Sequence, residues 1–199
     1  MNNVLLISED YIKSVTNISD NINGNYLLPA IQLAQDIELT ETIGTPLLTH
    51  LQELIYNNEI QLEENKDYKH LLDKYLQPLL AYNAIQHIVV PISFKLANAG
   101  VSRTSDEKME YATANEVDRV KAYYKHIADM YQYRLQRYLI ANYNKYPQLL
   151  EYKSIADIRA NLYSSASCNL WLGGQRGKQS INQSYLWGYG LPNSTIDLK

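Results

Sequence analysis

The fold is decided by residues 71–90, which read LLDKYLQPLLAYNAIQHIVV. Large apolar residues recur here and just beyond at spacings of three and four, which places them on one face of a helix. The positions of this first stripe are Leu71, Tyr75, Leu79, Tyr82, Ile85, Val89, Ile92 and Leu96. Pro78 and Pro91 each lack a backbone donor and should bend or break the helix. The pattern predicts either a kinked helix or two to three helical segments over about 64–98, ending near Asn98-Ala99-Gly100.

A second stripe follows a polar loop, residues 101–112. Its positions show the same spacings and are Val117, Val120, Tyr124, Ile127, Tyr131, Leu135 and Tyr138. They predict a second long helix over 113–143, which ends before Tyr146-Pro147. Two amphipathic helices joined by a short loop pack antiparallel. No strand-like alternation competes with them before residue 160, so we expect an all-α helical bundle.

Shorter helices are predicted before this pair. Ser8 followed by two acidic residues is typical of an N-cap and a first helical turn, which indicates a short helix to about Val15. A loop over 16–24 follows, and Asn25 is positioned to cap the next helix. At 44–46, Gly-Thr-Pro predicts that one helix ends at a C′ glycine and another begins with an N-cap threonine and an N1 proline.

Tyrosine outnumbers phenylalanine by 18 to one, the one being Phe94. A tyrosine ring packs on apolar neighbours while its hydroxyl reaches a polar group, a combination common in protein–protein interfaces. Many of these residues could equally cover the flanks of long helices. The composition therefore favours a protein that contacts other protein, without saying which tyrosines do so.

Charge and cysteine content exclude several classes of protein. The net charge of -3 provides no general attraction to nucleic acid or anionic membranes. The single cysteine, Cys168, excludes an internal disulfide and a cysteine-based zinc site. No signal peptide or membrane-spanning stretch is evident, so we expect synthesis in a cytoplasm without membrane association.

The histidines offer only fragments of a catalytic or metal site. His70 follows Glu63, Glu64 and Asp67, and His126 precedes Asp129, with i, i+3 spacings that also occur in carboxylate-bridged metal sites. The further inward-facing glutamates of such sites are missing, and a solvated charged turn explains the same residues. His87 fits a hydrogen-bonded interior or interface histidine. We therefore predict no enzyme and no cofactor, with a metal-binding or enzymatic bundle using His70 and His126 as the alternative.

The last 36 residues differ in composition from the rest. Residues 164–199 are rich in Ser, Asn, Gly and Gln and yet retain large aromatic side chains. Glycines and basic residues at 173–178 do not have the spacing of a phosphate-binding loop. We predict a helical domain over 1–163 and an extended interaction tail over 164–199. The predicted partner-binding residues are Trp171, Arg176, Lys178, Tyr185, Trp187 and Tyr189. The alternative is a hairpin folded back on its own bundle.

Several segments of residues 4–150 carry a family resemblance. They are LLISEDYIK at 5–13, IELTETIGTPLL at 37–48, LQELI at 51–55, QPLLAY at 77–82, AGVSR at 99–103 and NKYP at 144–147. Together with the two long Leu/Tyr helices, they resemble the head–tail connector, or adaptor, proteins of tailed bacteriophages, of the type found in phages of Bacteroidetes hosts. These motifs describe helices and turns rather than chemistry, and the tail lies outside the resemblance.

The resemblance implies a structural protein of the virion. Such a subunit joins a dodecameric ring beneath the portal protein, prolongs the DNA channel and offers a docking platform to further tail or ring proteins. Its C-terminal segment would reach the portal or an adjacent subunit, and DNA would pass without specific binding. The protein would reside at the head–tail interface of the virion and in the host cytoplasm during assembly. A general cytoplasmic helical adaptor with an interaction tail is the remaining alternative.

Overall fold

The computed structural model describes residues 4–19, 21–97, 100–103, 112–151 and 154–162. The chain divides into two units, Met1–Ser164 and Ser165–Lys199, and the described residues all belong to the first. Its α-helices are α1 (Glu9–Val15), α2 (Gly24–Leu33), α3 (Thr40–Ile43), α4 (Thr45–Tyr56), α5 (Lys66–Leu71), α6 (Gln77–Ser93) and α7 (Ala114–Ala141). The other elements are the π-helical segments π1 (Ala34–Leu39) and π2 (Leu72–Leu76), the strands β1 (Phe94–Ala97) and β2 (Gly100–Arg103), and 3₁₀ turns at Glu63–Asn65, Tyr143–Lys145 and Pro147–Leu149.

The two long helical stretches pack antiparallel, as the two stripes predict. Tyr75 stacks on Tyr138 with ring centroids 4.1 Å apart, and Tyr82 stacks on Tyr131 with centroids 5.4 Å apart. The residue number falls on one helix as it rises on the other, so the two run in opposite directions. The predicted all-α bundle is confirmed.

The stripes correctly identify most of the residues at this seam. Leu71, Leu79, Ile85 and Leu135 are buried, and the stripe tyrosines pack against the core. Val120 and Ile92 are instead exposed. On α7, Val117 before Val120 is buried and Tyr124 after it is half-buried. Val120 therefore lies at the edge of the packed face rather than beyond it.

The first long helix ends earlier than predicted and leads into a short hairpin. α6 ends at Ser93 rather than near residue 98, and β1 pairs antiparallel with β2 from Phe94↔Arg103 to Ala97↔Gly100. Pro91 removes a backbone donor from the last turn of α6, which weakens continuation of the helix. Each strand is only four residues long, too short for period-two alternation to be recognised beside a helical stripe.

A π-helical segment, π2, replaces the kink predicted at Pro78, and a second one, π1, lies where no kink was predicted. π2 lies directly before α6, and Pro78 occupies the first turn of α6. The helix therefore continues past the proline through one wide π turn and is not broken. π1 follows α2, whose Pro29 lies within the helix. Neither π segment has a composition that distinguishes it from ordinary helix.

The helix starts agree partly with the predicted caps. The Ser8 side chain accepts a hydrogen bond from the Tyr11 backbone N–H at 3.2 Å, which confirms this N-cap. The cap of α2 is Asn23 rather than Asn25: its side chain accepts from the Asn25 backbone N–H at 2.9 Å. Either asparagine has the required side-chain oxygen, so composition alone could not choose between them.

Gly44 joins α3 to α4 without an intervening loop. It ends α3 and directly precedes Thr45, the first residue of α4, so Thr45 is not the N-cap as predicted. Its backbone has φ 81° and ψ 157°, a conformation that essentially only glycine adopts. A Cβ atom at this position would lie 2.8 Å from the Ala160 backbone nitrogen. The absent side chain therefore lets the segment 158–162 lie directly on the helical body.

α6 occupies the centre of the body and packs against α1, α2, π1 and α7. The N-terminal segment is held against this core by Gln35, which is fully buried. Its side chain accepts from the Leu6 backbone N–H at 3.0 Å and donates to the Val4 carbonyl at 3.1 Å. None of the helices in the described ranges has the length and apolar character needed to cross a lipid bilayer.

Candidate functional site

The residues predicted to anchor a partner all belong to the C-terminal tail. Trp171, Arg176, Lys178, Tyr185, Trp187 and Tyr189 lie outside the described residues. Their role stays a prediction. The candidate sites within the described residues therefore belong to the helical body.

The histidines considered as metal ligands are not brought together. The ring of His70 lies 5.9 Å from that of Tyr75 and 5.8 Å from that of Tyr138. His126 precedes Tyr138 by 12 residues on α7, which corresponds to about 18 Å along the helix axis. Asp67 pairs instead with Lys145, Oδ1 to Nζ at 2.8 Å. Across the described part of the chain, no three His, Cys, Asp or Glu residues are grouped to hold a metal ion.

Several tyrosine hydroxyls bond within the body rather than to a partner. Tyr146 is fully buried; its hydroxyl donates to the Asp67 carbonyl at 3.1 Å and lies 2.9 Å from the Tyr138 hydroxyl. Burial, followed by the hydrogen bond with Tyr138, raises the pKa of Tyr146 far above its ordinary value. The Tyr68 hydroxyl donates to the Gln148 Oε1 at 2.9 Å. These contacts attach the segment after α7 to α5, so part of the tyrosine excess is structural.

A chain of polar contacts links the elements around α6. His87 Nε2 lies 2.7 Å from Glu38 Oε1 in a half-buried pair, as expected of a hydrogen-bonded histidine. Thr42 Oγ1 donates to the Glu38 carbonyl at 2.8 Å and accepts from Gln132 Nε2 at 3.1 Å. The contacts thus join π1, α3, α6 and α7. They fix the relative positions of these helices and contain no nucleophile beside a base.

A cleft of about 310 Å³ lies between α4 and four residues that follow α7 in the chain, Gln148, Glu151, Ser154 and Asp157. Its lining includes His50, Glu53, Glu151 and Asp157. The His50 ring packs on Tyr68, and Asp157 Oδ2 accepts from the Ser154 backbone N–H at 2.9 Å. At least these two groups serve local structure, and the cleft shows no arrangement specific to a reaction.

An apolar stripe lies exposed along α7, on the flank of the face that packs against α6. Val120, Tyr123 and Met130 are between 45% and 62% exposed, with the half-buried Ile127 between them. The spacings are three, four and three, and the same pattern continues through Arg134 and Arg137. We call these six residues the α7 stripe. The Arg134 guanidinium lies over the Tyr131 ring, 5.4 Å from its centroid.

A second exposed apolar surface runs along α2 and π1. Pro29, Leu33 and Ile37 recur every four residues, and the next position in this series is Glu41. All four are exposed, Leu33 at 44% and Ile37 at 52%. We call these four residues the α2 face. Asp36 is exposed beside it.

Charge is distributed very unevenly between the two surfaces. Residues 14–65 contain eight Asp and Glu residues and no Lys or Arg, whereas α7 contains five Lys and Arg residues and three Asp and Glu residues. The overall charge of -3 conceals this asymmetry. The sequence search for site residues missed both surfaces, although the absence of Lys and Arg over 52 positions was a usable signal.

Comparison with known proteins identifies a family but no characterised relative. Neither the curated proteins nor the solved structures contain a significant match to this chain. A family model matches residues 39–157, which include α4 to α7 and most of the seam between the long helices. The chain belongs to this family, described as a family of unknown function (DUF6712).

Proposed function

We propose that the chain is a structural subunit of a tailed-bacteriophage virion. It would form a ring between portal and tail that prolongs the DNA channel and provides a platform for tail docking. The resemblance of residues 4–150 to head–tail connectors supports this role. The observation that carries it is the presence of two rows of exposed apolar residues, the α7 stripe and the α2 face, on a helical body with an extensive buried core.

These surfaces favour a protein that functions beside neighbours. Tyr123 and Met130 remain more than half exposed, although the body already buries an extensive apolar core. Large contiguous apolar surfaces on a soluble body are typical of protein–protein contacts. In a ring, each subunit has two neighbours that can cover them. The acidic N-terminal part of the body would also not hold DNA that must slide through a channel.

The tail would supply the contact with the next component of the particle. Trp171, Tyr185, Trp187 and Tyr189 are suited to act as aromatic anchors, and Arg176 and Lys178 to pair with acidic groups on the portal protein or an adjacent subunit. Residues 163–199 contain three Lys and Arg residues and one acidic residue, opposite in sign to the rest of the chain. The proposed location is the head–tail interface of the virion, after assembly in the host cytoplasm.

The copy number in purified particles tests this proposal. Quantitative mass spectrometry of particles that contain the chain should find about twelve copies, and cryo-electron microscopy should place them in one ring next to the portal. A cytoplasmic helical adaptor would be absent from the particles. A single copy per particle would be incompatible with a ring.

Deletion of residues 164–199 should abolish incorporation into particles while leaving the body folded. Burial of an aromatic anchor contributes about 2 kcal/mol or more to such a contact, so loss of all four should eliminate binding. The truncated protein should still melt cooperatively, because the contacts of the described core lie within Met1–Ser164. Particle incorporation and thermal melting are the two measurements.

The matched control removes only residues 194–199, which retains all six predicted contact residues. This shorter deletion should assemble normally. Normal assembly of the longer deletion would show that the tail is dispensable.

A further inference from the structure

We propose that the α7 stripe of one copy of the chain packs against the α2 face of the next copy. The interface is heterologous, because two different surfaces meet in it. The pairing is inferred from the two surfaces themselves and rests on the proposed function only for its repetition around a closed ring. The occupant of each surface is therefore a second copy of this chain.

The two surfaces have matching patterns along their helices. On α7, apolar residues from Val120 to Met130 are followed by Arg134 and Arg137; on the α2 side, apolar residues from Pro29 to Ile37 are followed by Glu41. The apolar parts are about 15 Å and 12 Å long at the rise of an α-helix. In each surface the charged residue follows the last apolar residue by four positions. The two helices can therefore pair in parallel, with apolar residues in contact and opposite charges at the same level.

A specific register follows from this match. Setting Glu41 level with Arg134 places Ile37 level with Met130, Leu33 near Ile127 and Pro29 near Tyr123, because the positions on both surfaces advance by three or four residues. Glu41 and Arg134 form no ion pair with another described residue. Both charges are consequently available to a partner.

Charge also favours contact between the α7 stripe and the α2 face over contact between two copies of the same surface. Two α7 stripes packed in parallel would bring the Arg134 and Arg137 side chains of both copies together, and packed antiparallel they would set these charges against the apolar Val120 and Tyr123. Two α2 faces contain only one charged residue each, the acidic Glu41. Like charges across an interface disfavour association, whereas the unlike pairing is electrostatically complementary. A heterologous contact of this kind leaves one surface open on each terminal copy. Such contacts close into a ring when successive copies are related by rotation about one axis, as the proposed function requires.

The buried sides of the two helices agree with this arrangement. α2 packs on the core through Leu27 and Ile31, and α7 through Leu135 and Leu139. Both helices contact α6. The exposed residues of each surface lie beside these packed faces rather than within them, so each surface can meet another copy without unfolding the body.

Disulfide trapping tests the register directly. In the full-length Cys168→Ser protein, which has no other cysteine, Ile37→Cys and Met130→Cys are introduced separately. Under mild oxidation of a concentrated mixture of the two variants, we expect a covalent dimer, and neither variant alone should form it. Tyr56→Cys, which is 63% exposed on α4, replaces one partner as the control and should not cross-link. Dimers formed by Met130→Cys alone, or no dimer in the mixture, would overturn the pairing.

Charge reversal provides an independent measurement. Glu41→Arg and Arg134→Glu should each lower the yield of the trapped dimer by about tenfold or more, because each places like charges at the contact. Combining Glu41→Arg copies with Arg134→Glu copies should restore it, since every contact then again joins Arg to Glu. Circular dichroism verifies that each variant is folded. An unaffected Glu41→Arg variant would exclude the α2 face.

The outcomes separate this inference from the proposed function. If residues 37 and 130 cross-link but the protein is absent from phage particles, the proposed interface is supported and the virion role is refuted. If each particle contains many copies but residues 37 and 130 do not cross-link, the ring is supported and the assignment of the two surfaces is refuted.

Discussion

Replacement of Tyr146 by alanine should lower the free energy of unfolding by about 3–5 kcal/mol, as expected when a large buried aromatic side chain is removed from a core. Tyr146 is fully buried, and its ring packs edge-on against Tyr68 at a centroid distance of 5.5 Å. The change would leave a cavity and deprive the Asp67 carbonyl and the Tyr138 hydroxyl of a partner. Urea denaturation followed by circular dichroism measures the effect.

Two further variants serve as controls, one for the hydroxyl of Tyr146 and one for the loss of an exposed tyrosine. Tyr146→Phe keeps the packing and should cost only about 1–2 kcal/mol for the lost hydrogen bonds. Tyr143→Ala removes an exposed neighbour and should change stability by no more than about 0.5 kcal/mol. Equal losses for the alanine variants at 143 and 146 would contradict the described packing.

The hydroxyl of Tyr146 also predicts a dependence of stability on pH. Its pKa is raised in the folded protein from the ordinary value of 10.0, so the folded state binds this proton more tightly than the unfolded state does. The protonated Tyr146 hydroxyl therefore makes its full contribution to the free energy of unfolding below pH 10, and this contribution is lost as the pH rises above that value. Tyr146→Phe should therefore reduce the alkaline loss of stability.

Replacement of Tyr131 by aspartate should lower the free energy of unfolding by about 2–4 kcal/mol, because it removes a packed ring and places a charge on a packed helical seam. Tyr131 packs against the core and stacks on Tyr82 with an interplanar angle of 13°. Its ring also lies beneath the Arg134 guanidinium, which would soften the loss by attracting the new carboxylate. Thermal melting compared with the unchanged protein measures the shift.

The matched control lies two residues further along the same helix. Tyr133 is 48% exposed, so Tyr133→Asp should have little effect on melting. Tyr131→Phe should retain nearly all the stability, since the stacked ring remains. A similar melting temperature for both aspartate variants would mean that the seam has been assigned to the wrong face of α7.

The helical body could be predicted from the sequence because the apolar residues on the buried face of a helix recur at spacings of three and four. The stacked tyrosines at 75, 82, 131 and 138 all belong to the predicted stripes. Features that depend on one or two residues could not be predicted in the same way. The hairpin after Ser93 occupies two strands of four residues, and the choice of Asn23 over Asn25 as a cap depends on where the preceding loop leads.

The candidate surfaces were harder to predict for a related reason. The α7 stripe has the same three–four spacing as a buried stripe, so Val120 was assigned to the seam although it is exposed. Spacing identifies a face of a helix but does not say whether the cover comes from the same chain or from another. That distinction requires the exposure of each side chain in the folded body.

The π1 segment makes this part of the chain unusually tolerant of a change in length. A π turn closes with i→i+5 hydrogen bonds and so holds one residue more than an α turn. Loss of an exposed residue such as Asp36 from π1 would therefore restore ordinary helical winding and leave the buried Leu39 and Ile43 in nearly the same orientation relative to α2. In an ordinary helix such as α6, loss of one residue would instead turn everything after it by about 100° around the axis. A deletion scan should therefore reveal π1 as a site within a helix that tolerates the loss of one residue, whereas deletions within α6 should disrupt the protein.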